Sequence, residues 1–343
     1  MARRKDVGAQ DGRRVTSVDV AKRAGVSQSA VSRAFSRTAS IAPATREKIL
    51  RAAAELDYRP NRIPAIMLSG RSGMVGVVVG GLSNPFYASA LEHLVCSLRD
   101  QGLQVLLVHV DDALTLDSAL EQLLGYRIDA VVTALAIGSE VVAQALGTLR
   151  IPVICFNSRL TGPWISTVSS NNRAAGVTAA HLLRERGVAC PAWLAGPLRN
   201  AASVARGEGF REGLGALAAG LVSLQGDDTY ESGYEAVSTM LARGVRPDGM
   251  FCSNDMMACG AIDALRDRAG LCCPRDVVLL GYDNIPQGAW RAYDLTTFDQ
   301  GVERLVGAAC ALLAEALADG AEPVSQSLVI GAELLERGST GPV

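Results

Sequence analysis

The sequence predicts an all-α helix-turn-helix headpiece followed by an α/β core of two doubly wound parallel-sheet subdomains. Three observations carry that reading. Between Val15 and Arg62 the apolar residues recur at helical spacings suited to small packed helices. From Met74 onward short apolar runs alternate with longer helical segments, and the series runs twice. Charge divides in the same place. Residues 1–72 hold fifteen Arg or Lys against six Asp or Glu, or +9, and the remainder holds eighteen against twenty-nine, or −11, which together give the net −2.

The headpiece elements follow in order. Residues 1–14 (MARRKDVGAQDGRR) have no apolar periodicity and are expected to form a disordered basic tail. Thr16 is placed to cap a first helix, with Asp19 in its first turn. Gly25 ends that helix and Ser27 is placed to cap a second. Val20, Ala21, Ala24, Val26, Val31 and Ala34 would form the shared core. The second helix keeps Gln28, Ser29, Ser32 and Arg33 for its outer face, hydrogen-bonding groups of the kind that read base edges in the major groove. A third helix and a short segment after it complete the unit. DNA binding is the function this pattern implies, and a basic head implies affinity that falls with salt.

Length and composition bound the rest. At 343 residues and 49% hydrophobic, the chain is expected to hold two or three domains. No stretch reaches bilayer-crossing length and the start lacks a signal-peptide apolar region, so a cytoplasmic, nucleoid-associated protein is expected. The eight cysteines lie mostly in apolar runs without paired Cys-x-x-Cys spacing, which favours buried free thiols over a zinc site or disulfides. His93, His109 and His181 are far apart, so no metal, cofactor or catalytic triad is expected. There is no G-x-S-x-G elbow, Walker loop or post-strand G-x-G-x-x-G, and an enzyme is not expected.

In the core, apolar runs at 74–79, 103–108, 128–133 and 151–156 read as buried parallel strands. Helical segments at 86–101 and 115–125 separate them. The second series has strands at 189–195, 219–224, 248–252 and 277–281, with helices at 172–186, 203–218, 230–243 and 256–269. Ligands in such folds bind beyond the carboxyl ends of the strands. Ser83, Asn84, Phe86, Asn157, Arg159, Asn171, Asn172, Gly196, Asn200, Arg206, Ser253, Asn254, Asp255, Tyr282, Asp283 and Asn284 fall there. Each alone has an ordinary reading as a cap, turn or surface group. Together they point to a polar small-molecule site, with Phe86 or Trp290 as a stacking surface.

The stretches VTSVDVAKRAGVSQSAVSRAF, TREKILRAAAELDYRPNR, LSNPFY, GPLRNAASVARGEGF, FCSNDMMACGAIDAL and VVLLGYDNI resemble, in order, blocks of the LacI/GalR family of bacterial transcriptional regulators. The resemblance covers residues 15–337. It implies a homodimer that binds near-palindromic double-stranded operator DNA under control of a small effector, usually a sugar, in a periplasmic-binding-protein-like core. It implies a DNA-binding domain at 15–60, a linker at 61–73 and a core at 74–337, with 338–343 as a tail. The first subdomain would comprise 74–170 and 300–325, the second 171–299 and 326–337.

Residue by residue, Ser27, Ser32 and Arg33 match the family's headpiece, with Gln28 and Ser29 at its variable base-reading positions. Thr16, Thr45, Tyr58 and Asn61 resemble its phosphate-contacting or positioning residues. Met67 stands at the leucine position that wedges into the minor groove, followed by Leu68, and Pro64 replaces a usual alanine. Met is an acceptable wedge, and Pro64 disfavours a helical Ile63. Arg206 resembles the arginine that clamps effector hydroxyls or carboxylates, and Asn254 and Asp283 resemble effector-contacting positions. With Ser83, Phe86, Asn157, Asn171 and Asn200 they form the expected effector set. Asn157 and Asn171 stand where many members carry aspartates, which puts a simple aldose preference in doubt and lets an acidic sugar or another anionic ligand meet less repulsion. An activator or co-repressor type of regulator and a solute-binding receptor without a regulatory role are the alternatives. The C-terminus has no sustained heptad, so no tetramer built on a terminal bundle is expected.

Overall fold

A computed structural model describes residues 15–35, 40–59, 71–110, 116–133, 147–157, 162–322 and 325–341. They fall in two units, divided between positions 70 and 71.

The first unit contains α1 (Ser17–Ala24), α2 (Gln28–Phe35) and α3 (Pro43–Glu55). The Thr16 N–H and hydroxyl both donate to Asp19 Oδ2, at 2.9 and 2.7 Å, which fixes the start of α1. Gly25 ends the helix in the left-handed region at φ 61°, and Ser27 Oγ accepts from the Ala30 N–H at 3.2 Å to begin α2. Val20, Ala21, Ala24, Val31 and Ala34 are buried as expected, with Val26 packed at the rim. α3 closes this small core with Ile49, Ala52 and Ala53, and Tyr58 meets Phe35 edge-on at 5.8 Å.

The second unit has two lobes, each built on a parallel sheet. In the first lobe, β1 (Met74–Val79), β2 (Gln104–His109), β3 (Ala130–Thr133), β4 (Val153–Phe156) and β5 (Ile165–Ser170) are joined by a late strand, β11 (Ser327–Ile330). The order is β11-β5-β4-β3-β1-β2. Helices α4 (Pro85–Asp100), α5 (Leu116–Leu124) and α10 (Val302–Ala316) belong to this lobe. In the second lobe, β6 (Pro191–Ala195), β7 (Val222–Gln225), β8 (Gly249–Cys252) and β9 (Val278–Leu280) run in the order β7-β6-β8-β9. Its helices are α6 (Asn172–Glu185), α7 (Ala201–Leu214), α8 (Tyr230–Ala242) and α9 (Asp255–Ala269). The antiparallel pair β10 (Thr297–Asp299) and β12 (Glu333–Leu335) lies beside it. Because helices cover both faces of central strands, those strands are apolar throughout rather than alternating.

Helices α6 and α7 approach through glycines. A Cβ on Gly176 would overlap the Arg206 carbonyl oxygen, and one on Gly209 would overlap the Arg173 carbonyl oxygen. This reciprocal contact seats Arg206 against the body of the lobe.

Four expectations need correction. Ser72 and Gly73 are not linker: their N–H groups donate to Asp129 at 2.9 and 2.7 Å, tying them to the first lobe. Residues 327–330 belong to the first lobe, because β11 pairs with β5. Residues 338–340 are not a tail. Ser339 and Thr340 are buried, and Ser339 Oγ donates to the Leu279 carbonyl at 2.6 Å. Of the cysteines, only Cys155, Cys252, Cys259 and Cys310 are buried, while Cys190 and Cys272 are exposed; all eight are free. Among the described residues no helix is long and apolar enough to cross a membrane.

The chain passes between lobes three times: after β5, after β10 and after β11. These crossings set the cleft.

Candidate functional site

The exposed face of α2 presents Gln28, Ser29, Ser32 and Arg33. Both long side chains are tethered. Gln28 Nε2 donates to Ser17 Oγ at 3.0 Å, and Arg33 Nε reaches the Ser29 carbonyl at 3.4 Å. Ser27 and Ser29 share a hydroxyl contact of 2.9 Å. Thr45 is half-buried at the start of α3, and Tyr58 is half-buried against Phe35, so both sit within the packed unit. Asn61, Pro64, Met67, Leu68 and, in the core, Arg159 lie outside the described residues.

The second unit brings a polar cluster together where its lobes meet. Asn84 ends the β1–α4 loop, and its Oδ1 accepts from the Phe86 N–H at 3.0 Å. That bond turns its amide nitrogen toward the other lobe, where Nδ2 donates to Asp283 Oδ2 at 3.0 Å. Gln300 Nε2 donates to the other carboxylate oxygen at 2.6 Å. Gln300 Oε1 in turn accepts from Ser170 Oγ at 2.9 Å, and Ser170 lies 2.7 Å from the Tyr282 hydroxyl. Arg206, only 4% exposed, stacks over the Tyr282 ring at 4.1 Å and donates through Nη1 to Asn172 Oδ1 at 2.7 Å. Its Nε is buried without a hydrogen-bond partner.

A second group surrounds Asp228, which precedes α8. Asn200 Nδ2 donates to it at 3.1 Å and Asn254 Nδ2 at 3.2 Å. The oxygens of both amides are already engaged as helix caps, Asn200 for α7 and Asn254 for α9. Each amide is therefore locked with its nitrogen toward the carboxylate.

Electrostatics tie the groups into one site. Burial pushes Asp283 up to about 7; Arg206 and its two amide donors oppose the rise, and Asp255 adds to it. Burial also raises Asp228, against the pull of Asn200 and Arg206. The Tyr87 phenol of the first lobe is raised by burial and then by Asp283 and Asp228, and lowered by Arg206. Tyr87 thus lies within electrostatic reach of both acids and the arginine, with its ring edge-on to Phe86 at 5.4 Å. Deeper, Asp255 is pushed up to about 6 by burial, while Thr297 and the Ile285 N–H oppose the rise.

Two cavities adjoin this cluster and share Asn157. One, of about 190 Å³, is bordered by Ser169, Asn171, Asn172, Arg173 and Ala202. The other is narrow and apolar, bordered by Val77, Val79, Phe86, Leu91 and Phe156 of the first lobe.

Of the residues expected from sequence, Phe86 (buried) and Asn157 (half-buried) border a cavity, while the buried Arg206, Asn254 and Asp283 and the half-buried Asn200 belong to the polar cluster. Ser83 is exposed and borders neither cavity. Asn171 is exposed, caps α6 and borders the larger cavity. Trp290 is 58% exposed and borders neither, while Phe86 borders the apolar cavity together with Tyr87 and Phe156. Sequence reasoning missed Asp228, Tyr87 and Gln300. The one local signal for Asp228 was an acid directly before the Thr229 cap of α8. Among the described residues no His, Cys, Asp and Glu cluster forms a metal site.

Residues 17–61 match the family model for bacterial regulatory proteins of the lacI family, and residues 183–340 match that of a periplasmic binding protein-like domain. The HTH-type transcriptional repressor PurR of Erwinia tasmaniensis is 31% identical over 332 residues, covering 94% of this chain and 96% of that protein. The Proteus mirabilis repressor of that name is 30% identical over 333 residues, with 94% and 96% covered. Among solved structures, the lac repressor dimer bound to operator and the anti-inducer ONPF is 25% identical, with a TM-score of 0.83 over 96% of this chain and 99% of that one. A complex of the transcriptional regulator CelR with cellobiose is 31% identical, with a TM-score of 0.67 over 95% of this chain and 100% of that one. Headpiece, core and near full-length likeness agree: this chain belongs to the LacI family of bacterial regulatory proteins and is a DNA-binding transcriptional regulator.

Proposed function

We propose that the chain is a cytoplasmic, homodimeric, non-enzymatic repressor whose operator affinity is set by a small effector, a sugar or sugar derivative, held between the core lobes. The observation that carries this reading is Arg206, a buried guanidinium with an unpartnered Nε beside an inter-lobe bond from Asn84 to Asp283. Nε is a donor for a hydroxyl or carbonyl oxygen, while Asp228 and Asp283 accept from hydroxyls and Phe86 supplies an apolar face. Asn157, Asn171, Asn200 and Asn254 complete the wall. Similar regulators have been captured with an operator and an anti-inducer and with cellobiose, which supports a small-molecule effector, a sugar among them, for this chain.

The headpiece would place Gln28, Ser29, Ser32 and Arg33 in the major groove. Thr16, Ser27, Thr45, Tyr58 and Asn61 would serve at phosphates, and Met67 and Leu68 in the minor groove. One headpiece reads one half-site, so two are needed for a palindromic operator. Ligand binding would change lobe orientation and thereby grip on DNA, a coupling between separate sites.

A second reading has one observation in its favour. The apolar pocket behind Phe86 suits a non-sugar metabolite acting as co-repressor. Thermal-shift screening of sugars, sugar acids and nucleobases, followed by gel shifts on a selected operator with the best hit, separates the two readings and gives the sign of regulation. If saturating hits leave operator affinity unchanged, effector control is refuted.

A further inference from the structure

The geometry points to Ser17 as a positioning residue that presents Gln28 to an adenine in each operator half-site. The inference rests on the operator-binding reading above and adds to it the base that is read and the group that sets the reader.

Gln28 is the first residue of α2, and its side chain is exposed on the face that carries Ser29, Ser32 and Arg33. A free glutamine there samples many rotamers, and that freedom must be lost on binding. In this chain the loss has already been met. Nε2 donates one N–H to Ser17 Oγ at 3.0 Å, across the gap between the starts of α1 and α2. Ser17 is itself fixed as the first residue of α1, directly after Thr16, whose N–H and hydroxyl both bond Asp19.

The carboxamide keeps what base reading needs. It has two N–H groups and an acceptor oxygen, and only one N–H is engaged by Ser17. The second N–H and Oε1 form the donor–acceptor pair that matches adenine N7 and N6 in the major groove; guanine offers two acceptors there and is not matched. Arg33, tethered through Nε to the Ser29 carbonyl, has the complementary preference for guanine. A hydroxyl at position 17 thus sharpens the reading of a base that Ser17 need not touch.

The test is selection of binding sites from a random duplex library, with the full-length protein and its Ser17→Ala, Ser17→Thr and Gln28→Ala variants. Non-specific DNA affinity, its salt dependence and thermal stability are measured beside it. The wild type is expected to enrich adenine about tenfold or more at one position per half-site, a position whose preference Gln28→Ala abolishes. Ser17→Ala is expected to reduce that enrichment to a few-fold and leave the other positions, the non-specific affinity and the salt slope as they were. Ser17→Thr, which keeps the hydroxyl, restores it. Unchanged adenine enrichment in Ser17→Ala overturns the proposal, as does a Gln28-dependent position that favours another base. So does a uniform loss across the motif that tracks a fall in stability, which would make Ser17 merely structural. If the wild type enriches no motif, the operator-binding reading falls first and this inference with it.

Discussion

The Asn84 amide donates to the Asp283 carboxylate at 3.0 Å, joining residues 199 positions apart on opposite lobes of the core. The same Asn84 caps α4 through its oxygen. One side chain therefore fixes a helix start and bridges the cleft.

Removing it should cost both contributions. Asn84→Ala is expected to lower unfolding free energy by about 2–4 kcal/mol, combining a lost helix cap with a lost bond to a buried carboxylate. Asn84→Ser can still cap but is too short to reach Asp283, so it should recover about 1 kcal/mol of that loss. Urea denaturation of the three proteins checks this, and equal losses in the two variants would assign the whole effect to the bridge.

The buried acids give the core a pH dependence of definite sign. Asp255 and Asp283, raised by burial to about 6 and about 7, hold protons in the folded chain that the unfolded chain has released. Their contribution is full below about pH 4 and declines as pH rises, levelling off near 6 for Asp255 and near 7 for Asp283. The stability of wild type relative to Asp255→Asn should therefore fall by on the order of 3 kcal/mol between pH 4 and 7. Denaturation curves at stepped pH decide it; a constant difference would mean that Asp255 is ionised throughout.

Arg33 should contribute discrimination more than raw affinity. Arg33→Lys keeps the charge and loses the planar fork. Specific operator binding should weaken by about 1–3 kcal/mol while binding to random duplex changes little. Gel shifts on both DNAs at one salt concentration measure the ratio. Equal weakening on the two would reduce Arg33 to a phosphate contact.

Gly209 sets how closely α6 and α7 approach. Since a Cβ there would overlap the Arg173 carbonyl oxygen, Gly209→Ala must push the helices apart. A loss of about 1–3 kcal/mol is expected from overpacking. Because Arg206 rides on the displaced helix, ligands found by thermal shift should bind more weakly to this variant than to one destabilised equally elsewhere, as calorimetry would show.

The alternation of sheets and helices was legible because buried parallel strands are written as short apolar runs, as in β1 and β8. What escaped was what lacks that signature. β5 reads ISTVSS, and although mostly buried four of its six side chains are hydroxyl-bearing, among them Thr167, bonded to Ser327, and Ser170, bonded to Gln300. β10 and β12 are three residues long, too short to show a period. Arg206 and Asp283 were legible from motifs. Asp228 was not, because its meaning comes from Asn200 and Asn254, which reach it from 28 and 26 residues away.

The threefold passage of the backbone between lobes bears on how this protein is made. The edge of the first sheet is supplied by residues 327–330 and the second lobe is fastened by Ser339 to the Leu279 carbonyl. A nascent chain emerging from the ribosome can finish neither lobe until residues 327–339 are free, so truncation before Ser327 leaves both lobes open together. Both lobes therefore close only once residues some 160 positions beyond β5 and 60 beyond Leu279 have been made, which ties completion of the two to one late event.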